Sequence, residues 1–131
     1  MKQFDHIGIH TDEPQEGEIW VDHSEIWITN PRRHPQRIEY LRPKVRPVVD
    51  PQNVGLWKLW NWPHIAFRVD DLESAIGEDE VVYGPVDSAE ARVAFVHKDG
   101  GIVEYLQYLR LDTWHGEPTP WSETISGKRG A

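Results

Sequence analysis

The sequence contains no cysteine, which excludes disulfides, thiolate metal sites and cysteine nucleophiles. Any metal held by side chains would therefore need histidine and carboxylate ligands. The sequence also lacks an apolar run near the roughly 20 residues that a membrane-spanning helix requires. Its first residues include no apolar segment of signal-peptide length. From these absences we expect a soluble, cytoplasmic protein.

The chain also has few positively charged residues. The chain has 14 Lys and Arg against 22 Asp and Glu, a net charge of −8. Nucleic acids and anionic membranes are bound through basic faces, so neither is an expected partner. A length of 131 residues suits a single domain with a buried core. Ten prolines and ten glycines predict many turns, and seven tryptophans are enough to line a pocket or an interface as well as the core.

The most informative feature of the sequence is a repeated pattern. The segments FDHIGI and WPHIAF each place a histidine, His6 or His64, just ahead of alternating apolar residues. Each is followed some dozens of residues later by a glutamate within a strand-like run, Glu39 in RIEYL and Glu104 in IVEYL. The order His, Glu, His, Glu is what two copies of one module would produce if they folded together around one metal ion.

The local patterns predict a mostly β protein with one short helix, and residues 56–62 are expected to form a short turn or a helical piece. Period-two alternation predicts strands at residues 4–10, 19–21, 26–28, 37–41, 64–69, 80–83, 92–97 and 101–108. An aspartate cap and one apolar face predict a helix over 70–76. The second half thus reads β-α-β-β-β, and the first half reads as four strands without a helix. The single domain is divided into a first half-module (1–42), a proline-rich connection (43–61), a second half-module (62–110) and an extended tail (111–131).

Strand geometry supports a special role for Glu104. Asp99-Gly100 is a strong two-residue hairpin signal, and such a turn places Phe95 opposite Glu104. Glu104 then lies on a largely apolar face, where an unpaired carboxylate is costly to bury and needs a cation or a hydrogen-bond donor. A single histidine in a strand is more often structural, and a single glutamate more often faces solvent. The repetition in both halves favours the metal site.

These residues carry a resemblance to a known superfamily. The matching segments are FDHIGI at 4–9, PHIAFRVDDLE at 63–73 and RVAFVHKDGGIVEY at 92–105. On them the chain resembles the glyoxalase, bleomycin-resistance and extradiol-dioxygenase superfamily, also called the vicinal oxygen chelate superfamily. The match covers residues 62–108 well and the first half only at its two ends.

The resemblance implies an α+β fold with two paired βαβββ-type modules forming a cup-shaped, mostly antiparallel sheet. The Trp-rich residues 19–28 replace the expected pattern of the first module, which would lack or shorten its helix. The superfamily takes its metal ligands from the first and last strands of each module, which by position are His6, Glu39, His64 and Glu104. One divalent ion is implied, whether zinc, nickel, cobalt, manganese or iron.

The activity implied is that of a metal-dependent lyase or isomerase acting on a small molecule with two adjacent oxygens. The reaction would pass through an enediolate or enolate, with Glu104 or Glu39 leaving the metal to act as the base. The alternatives are a metal-free binding protein of the resistance type and an Fe(II)-dependent extradiol dioxygenase. The dioxygenase needs two histidines and one carboxylate, so Glu39 discriminates between the enzymes. A homodimer is a further expectation.

Substrate contacts are expected from four other residues. Arg37 and Arg68 share strand faces with proposed ligands and are candidates for binding an anionic group, although ordinary ion pairs with the many acidic residues are the simpler interpretation. Phe95 faces Glu104 across the hairpin. Trp62 is expected either in the pocket wall or in core packing.

The remaining histidines are assigned more loosely. His10 and His97 are expected at the rim of the cup, as proton shuttles or as ordinary surface residues. His23 and His34 lie in polar, turn-like segments and are not assigned to the site.

Overall fold

The computed structural model describes residues 2–120. Its strands are β1 (Lys2–His10), β2 (Ile19–Val21), β3 (Ile26–Ile28), β4 (Ile38–Pro43), β5 (His64–Val69), β6 (Glu80–Ser88), β7 (Ala91–Lys98), β8 (Gly101–Tyr108), β9 (Thr113–Trp114) and β10 (Glu117–Pro118). Its helices are α1 (Val54–Asn61) and α2 (Leu72–Ile76), with short 3₁₀ turns at Asp22–Ser24 and Pro31–Arg33. Neither α1 nor α2 has the length and apolar character to cross a membrane.

Eight strands form one strongly curled, mostly antiparallel sheet in the order β2-β3-β4-β1-β5-β8-β7-β6. This order contains two copies of one arrangement, which meet where β1 pairs antiparallel with β5. In each copy the first strand lies parallel to the last, β1 to β4 and β5 to β8. The last strand in turn pairs antiparallel with the strand before it. The expected α+β fold with a cup-shaped sheet is confirmed.

The first module has no α-helix between its strands. A polar loop over residues 11–18 joins β1 to β2, and the two short strands expected at 19–21 and 26–28 form an antiparallel pair. The strand expected from Arg37 begins one residue later, at Ile38. Arg37 has a φ of 58°, a left-handed conformation that no strand contains. Strand alternation therefore does not extend to its side chain.

In the second module, helix α2 begins after an N-cap residue and ends at a glycine. The Asp71 side chain accepts a hydrogen bond from the Ser74 N–H (3.2 Å), and Gly77 follows the last helical residue with a φ of 53°. Leu72 is fully buried, which stabilises the fold by roughly 1.5–3 kcal/mol. The helix thus covers the convex side of the sheet.

The hairpin between β7 and β8 has the predicted register. Asp99 and Gly100 have positive φ angles of 53° and 81°, as a two-residue hairpin turn of the primed type requires. Phe95 consequently pairs with Glu104. The register expected from the Asp-Gly signal is confirmed.

Strand β6 is longer than the sequence suggested. We expected it to end at Tyr83, before Gly84 and Pro85, but it continues to Ser88 with two irregularities in its pairing with β7. β6 is an edge of the sheet, so the missing N–H of Pro85 removes no hydrogen bond to a further strand.

The two faces of the sheet have different roles. The convex face carries the main apolar core under α2, formed by Val69, Leu72, Ile76, Ala94, Val96 and Tyr105. The concave face carries a smaller apolar cluster of Ala66, Ala91, Val93 and Leu106. α1 lies at one end of the cup, where Leu59 and Trp60 line its cavity.

The segment expected as an extended tail contains a small hairpin. β9 and β10 pair with each other, and Trp114 is buried against Ile26 and Ile28 of the first module. Trp121, the other tryptophan of this segment, lies outside the described residues.

Candidate metal centre

Three ionisable side chains meet on the concave face, at the junction of the two modules. His6 projects from β1, His64 from the start of β5 and Glu104 from the middle of β8, and each is less than 8% exposed. The Glu104 Oε1 atom lies 3.2 Å from Nε2 of both histidines. One ligand atom from each residue lies within 4.8 Å of the others. The strand pairing creates this group, because β1, β5 and β8 are adjacent in the sheet.

The donor atoms of this group suit a divalent cation. The Nε2 atoms of His6 and His64 are buried and have no hydrogen bond of good geometry among the described residues. Buried polar atoms without partners are costly, and a bound cation would satisfy both at once. Imidazole nitrogen with carboxylate oxygen is a common donor set for zinc, nickel, cobalt, manganese and ferrous iron. The residues therefore fit the metal that the sequence predicted.

Glu39 lies beside this group but slightly apart from it. It projects from β4 opposite Gly8 and is 8% exposed. Its Oε1 atom is 3.4 Å from His6 Nε2, and it is not among the three residues whose ligand atoms are mutually close. Of the four expected ligands, the structure thus brings three into a tight group and places the fourth in contact with one of them.

The electrostatics of the centre couple its histidines closely to its carboxylates. Burial lowers the pKa of His6, but the charge of Glu39, the hydrogen bond to Asp5 and the nearby Glu104 carboxylate outweigh it and hold that pKa well above 6.5. Burial raises the pKa of Glu104, yet His6 and His64 lower it to about 2. Metal binding is therefore expected to release a proton.

A β-bulge brings into the site a residue that no sequence pattern indicated. The pairing of β1 with β5 shifts between Phe4 and His6, so Asp5 is the extra residue. Asp5 and His6 consequently both line the cavity, instead of alternating across the sheet. The His6 Nδ1–H donates to Asp5 Oδ1 (2.6 Å), and the Tyr108 hydroxyl donates to Asp5 Oδ2 (2.8 Å). Because Nδ1 is bonded to Asp5, Nε2 is the ring nitrogen that a metal would bind in exchange for its proton.

Replacing Asp5 by asparagine is expected to weaken metal binding about 10- to 100-fold, because His6 would lose the acceptor that orients its ring and increases its basicity. Titration of Co²⁺ followed by calorimetry measures this. Tyr108→Phe keeps the carboxylate and should cost less than Asp5→Asn. Unchanged affinity in Asp5→Asn would show that the bond does not support a ligand.

A close approach at Gly8 sets the position of His64. A Cβ atom at Gly8 would lie 2.1 Å from His64 Cε1 and 2.4 Å from its Nε2. The imidazole ring therefore packs directly over the backbone of β1, at the position where Gly8 pairs with His64. Phe95 contacts the same ring edge-on, with the centroids 5.1 Å apart. The ring is thus held from both sides.

The centre opens into a cavity of about 310 Å³ on the concave face. Apolar walls from β6, β7 and β8 include Val86, Val93, Phe95 and Leu106. The opposite wall comes from the first module and from the β9–β10 hairpin, with Trp114 and His115 among its residues. This size and the mixture of apolar walls with few polar groups are typical of a small-molecule site.

Glu90 anchors the hairpin that forms part of this wall. Its carboxylate accepts hydrogen bonds from the Thr113 hydroxyl (2.8 Å) and from the N–H groups of His115 and Gly116 (2.9 Å each). Burial raises the pKa of Glu90, but these donors outweigh it and lower the pKa below 4.5. The ionised carboxylate therefore stabilises the folded state above about pH 4.5, and this contribution is lost as the pH falls through the lower folded pKa.

Glu90→Gln is expected to destabilise the protein by about 1–2 kcal/mol near pH 7. The deficit should be smaller at pH 3.5, below the ordinary pKa of 4.5, because protonation of the unfolded chain removes part of the carboxylate's contribution. Urea denaturation at the two pH values measures this. Glu16→Gln, in an exposed loop, serves as the control and should show little effect at either pH. An equal deficit for Glu90→Gln at both pH values would contradict a role for the charge.

The structure separates the expected substrate contacts. Phe95 lines the cavity, whereas Arg37, Arg68 and Trp62 are not among its lining residues. Arg37 is buried outside the cavity, close enough to Asp5 for their opposite charges to interact. Its left-handed backbone removes its side chain from the face of β4. Arg68 lies at the far end of β5 and donates a hydrogen bond to Gln3. Trp62 is 41% exposed, with the Lys58 ammonium over its ring.

Some of the other histidines lie at positions that differ from those expected from the sequence. His10 lines the cavity, and its Nε2–H donates to the Leu59 carbonyl (2.9 Å), which leaves Nδ1 as an acceptor. His23, which the sequence reading left outside the site, lines the cavity as well. His97 is not a lining residue and instead contacts Lys58 and Glu80. A turn-like sequence context gave no signal that His23 would reach the cup.

No family model and no curated protein matches the chain. Among solved structures, it is similar to a hypothetical protein from Bacillus halodurans C-125, with 21% identity and a TM-score of 0.55 over 81% of this chain and 94% of that chain. It is also similar to methylmalonyl-CoA epimerase from Mycobacterium tuberculosis, with 20% identity and a TM-score of 0.47 over 81% of this chain and 87% of that chain. At such identities, the first likeness establishes a shared fold and nothing about chemistry.

Proposed function

We propose that the chain is a metal-dependent enzyme of the lyase or isomerase type, acting on a small molecule that offers two adjacent oxygens to the metal. The observation that carries the proposal is the buried group of His6, His64 and Glu104 at the base of a ligand-sized cavity. A bound divalent cation would supply Lewis-acid stabilisation of negative charge on the substrate oxygens. A metal-free binding protein would have no use for two buried imidazole nitrogens that lack a well-oriented hydrogen bond.

We assign the proton transfer to Glu39. It contacts His6 but lies outside the tight ligand group, so its carboxylate is the one best placed to exchange between the metal and a substrate proton. Its burial keeps water away and leaves the carboxylate as the local base. Glu104, held between two histidines and with a pKa of about 2, is better suited to remain a ligand.

The rest of the cavity supports these roles. Asp5 holds the ring of His6, and Gly8 with Phe95 holds the ring of His64. The apolar residues Val93 and Leu106 exclude water from the reacting atoms.

A second candidate is an Fe(II)-dependent dioxygenase of the extradiol type. The tight group contains two histidines and one carboxylate, which is the ligand set of that class. Glu39 distinguishes the lyase or isomerase from the dioxygenase, because a dioxygenase would not need it as a base.

The test follows proton exchange in D₂O by NMR, with Co²⁺- or Ni²⁺-loaded protein and a panel of 2-oxo and 2-hydroxy acids. Wild-type protein is expected to exchange the hydrogen next to the chelating carbon. Glu39→Gln should slow this exchange about 100-fold or more, with metal affinity reduced no more than about tenfold. Fe²⁺-loaded protein that consumes O₂ with a catechol and keeps that activity in Glu39→Gln would support the dioxygenase instead. Protein that binds no divalent metal would contradict both.

A further inference from the structure

Arg32 is the only arginine or lysine among the described residues that line the cavity. It lies in the 3₁₀ turn between β3 and β4, and its N–H donates to the Asn30 side chain (2.9 Å). Neither the repeat nor the strand alternation pointed to it, because it belongs to a turn. Its position brings a permanent positive charge into a cavity whose other charged lining residues are acidic or histidine.

The guanidinium group of Arg32 is held by several contacts, but one of its two terminal nitrogens lacks a hydrogen bond. Its Nη1 donates to the carbonyls of Thr113 (2.9 Å) and Thr119 (2.5 Å), and its Cζ lies 5.4 Å from the centre of the Tyr108 ring. Its Nη2 is buried and has no hydrogen-bond partner among residues 2–120. Leaving a charged donor buried without an acceptor costs free energy, which an anionic oxygen at this position would recover.

The nearby carboxylates do not supply that oxygen. Glu90 accepts from Thr113, His115 and Gly116. Asp5 is engaged by His6 and Tyr108. The donor on Nη2 thus has no acceptor among these carboxylates. Tyr108, whose ring lies against the guanidinium, connects Arg32 to the metal centre through Asp5.

We infer that Arg32 binds an anionic oxygen group of the substrate, of which a carboxylate is the simplest form, while the other end of the molecule chelates the metal. The inference rests on the metal site proposed above and adds the substrate class to it: a small acid with a second, non-chelating anionic group. The cavity of about 310 Å³ limits such a substrate to a small molecule. The fixed guanidinium selects planar oxyanions more effectively than a flexible ammonium would.

The test compares matched acids on Co²⁺-loaded protein by calorimetry. 2-Oxoglutarate and 2-oxoadipate carry the second carboxylate, and 2-oxopentanoate and 2-oxohexanoate have the same chain lengths without it. Wild-type protein should bind at least one diacid about tenfold or more tightly than its matched monoacid. Arg32→Gln, which removes the positive charge and the guanidinium fork, should reduce that ratio to about twofold or less.

Two further variants control the comparison. Arg33→Gln alters the neighbouring arginine, which is exposed and pairs with Glu117 (3.0 Å), and should leave the ratio unchanged. Arg32→Lys keeps the charge without the planar fork and should restore part of the preference. Thermal melting of each variant shows whether the hairpin contacts, and with them the fold, are retained.

The outcomes separate this inference from the proposed function. Bound Co²⁺ with no preference for a diacid, or a preference that survives in Arg32→Gln, would overturn the role of Arg32 and leave the metal site intact. Absence of Co²⁺ binding would overturn the metal site, and the ratio measured with the same acids would then still test Arg32. Failure of all four acids to bind would also overturn the inference.

Discussion

Protein with His64 replaced by alanine is expected to lose its divalent metal, with Co²⁺ affinity reduced at least about 100-fold, or about 2.7 kcal/mol. His64 supplies one of three donors in the tight group, and its Nε2 lies 3.2 Å from Glu104 Oε1. Without it, Glu104 would retain only His6 as a close partner from that group. Calorimetric titration of Co²⁺, with the metal-induced rise in melting temperature as a second readout, measures the loss.

His97→Ala is the matched control, because His97 lies outside the cavity and contacts Lys58 and Glu80. It should bind Co²⁺ like the wild type. Should His64→Ala keep full affinity, or His97→Ala lose as much, the metal would be bound somewhere other than the junction of the two modules.

A single added methyl group at Gly8 is expected to have a comparable effect without touching any ligand atom. The Cβ of Gly8→Ala would lie 2.1 Å from His64 Cε1, so the ring must leave its position over β1. Phe95 blocks the ring from the other side. We expect destabilisation of about 1–3 kcal/mol from overpacking, together with at least about 30-fold weaker Co²⁺ binding. Urea denaturation and calorimetry measure the two effects separately.

Gly101→Ala is the control for the loss of a strand glycine. A Cβ atom there has only the Lys98 carbonyl near it, at 4.0 Å. It should leave metal affinity unchanged. Normal Co²⁺ binding by Gly8→Ala would show that His64 has room to move, and that its observed position is not the one that binds metal.

The local sequence signals were sufficient for most of the second module. The Asp99-Gly100 turn fixes the β7–β8 register, which places Glu104 opposite Phe95 on the concave face. The repeated histidine pattern likewise reflected a real correspondence, because β1 and β5 occupy equivalent places in the two halves of the sheet. Three of the four expected ligands converge as a result.

The features that the sequence did not reveal depend on irregular backbone or on distant contacts. Regular alternation would put Asp5 on the face opposite His6, and only the bulge brings both into the cavity. The same rule misplaced Arg37, whose positive φ ends the alternation before β4 begins. Arg32 reaches the cavity through contacts with residues more than 80 positions away, which no local pattern encodes.

The central claim is that one divalent metal is bound where the two modules meet. Crystals grown with Co²⁺ and measured on both sides of the cobalt absorption edge test it most directly. The account predicts one anomalous peak about 2.0–2.2 Å from His6 Nε2, His64 Nε2 and a Glu104 oxygen, by analogy with zinc ligand distances. A peak elsewhere on the protein, or no peak at saturating Co²⁺, would contradict it.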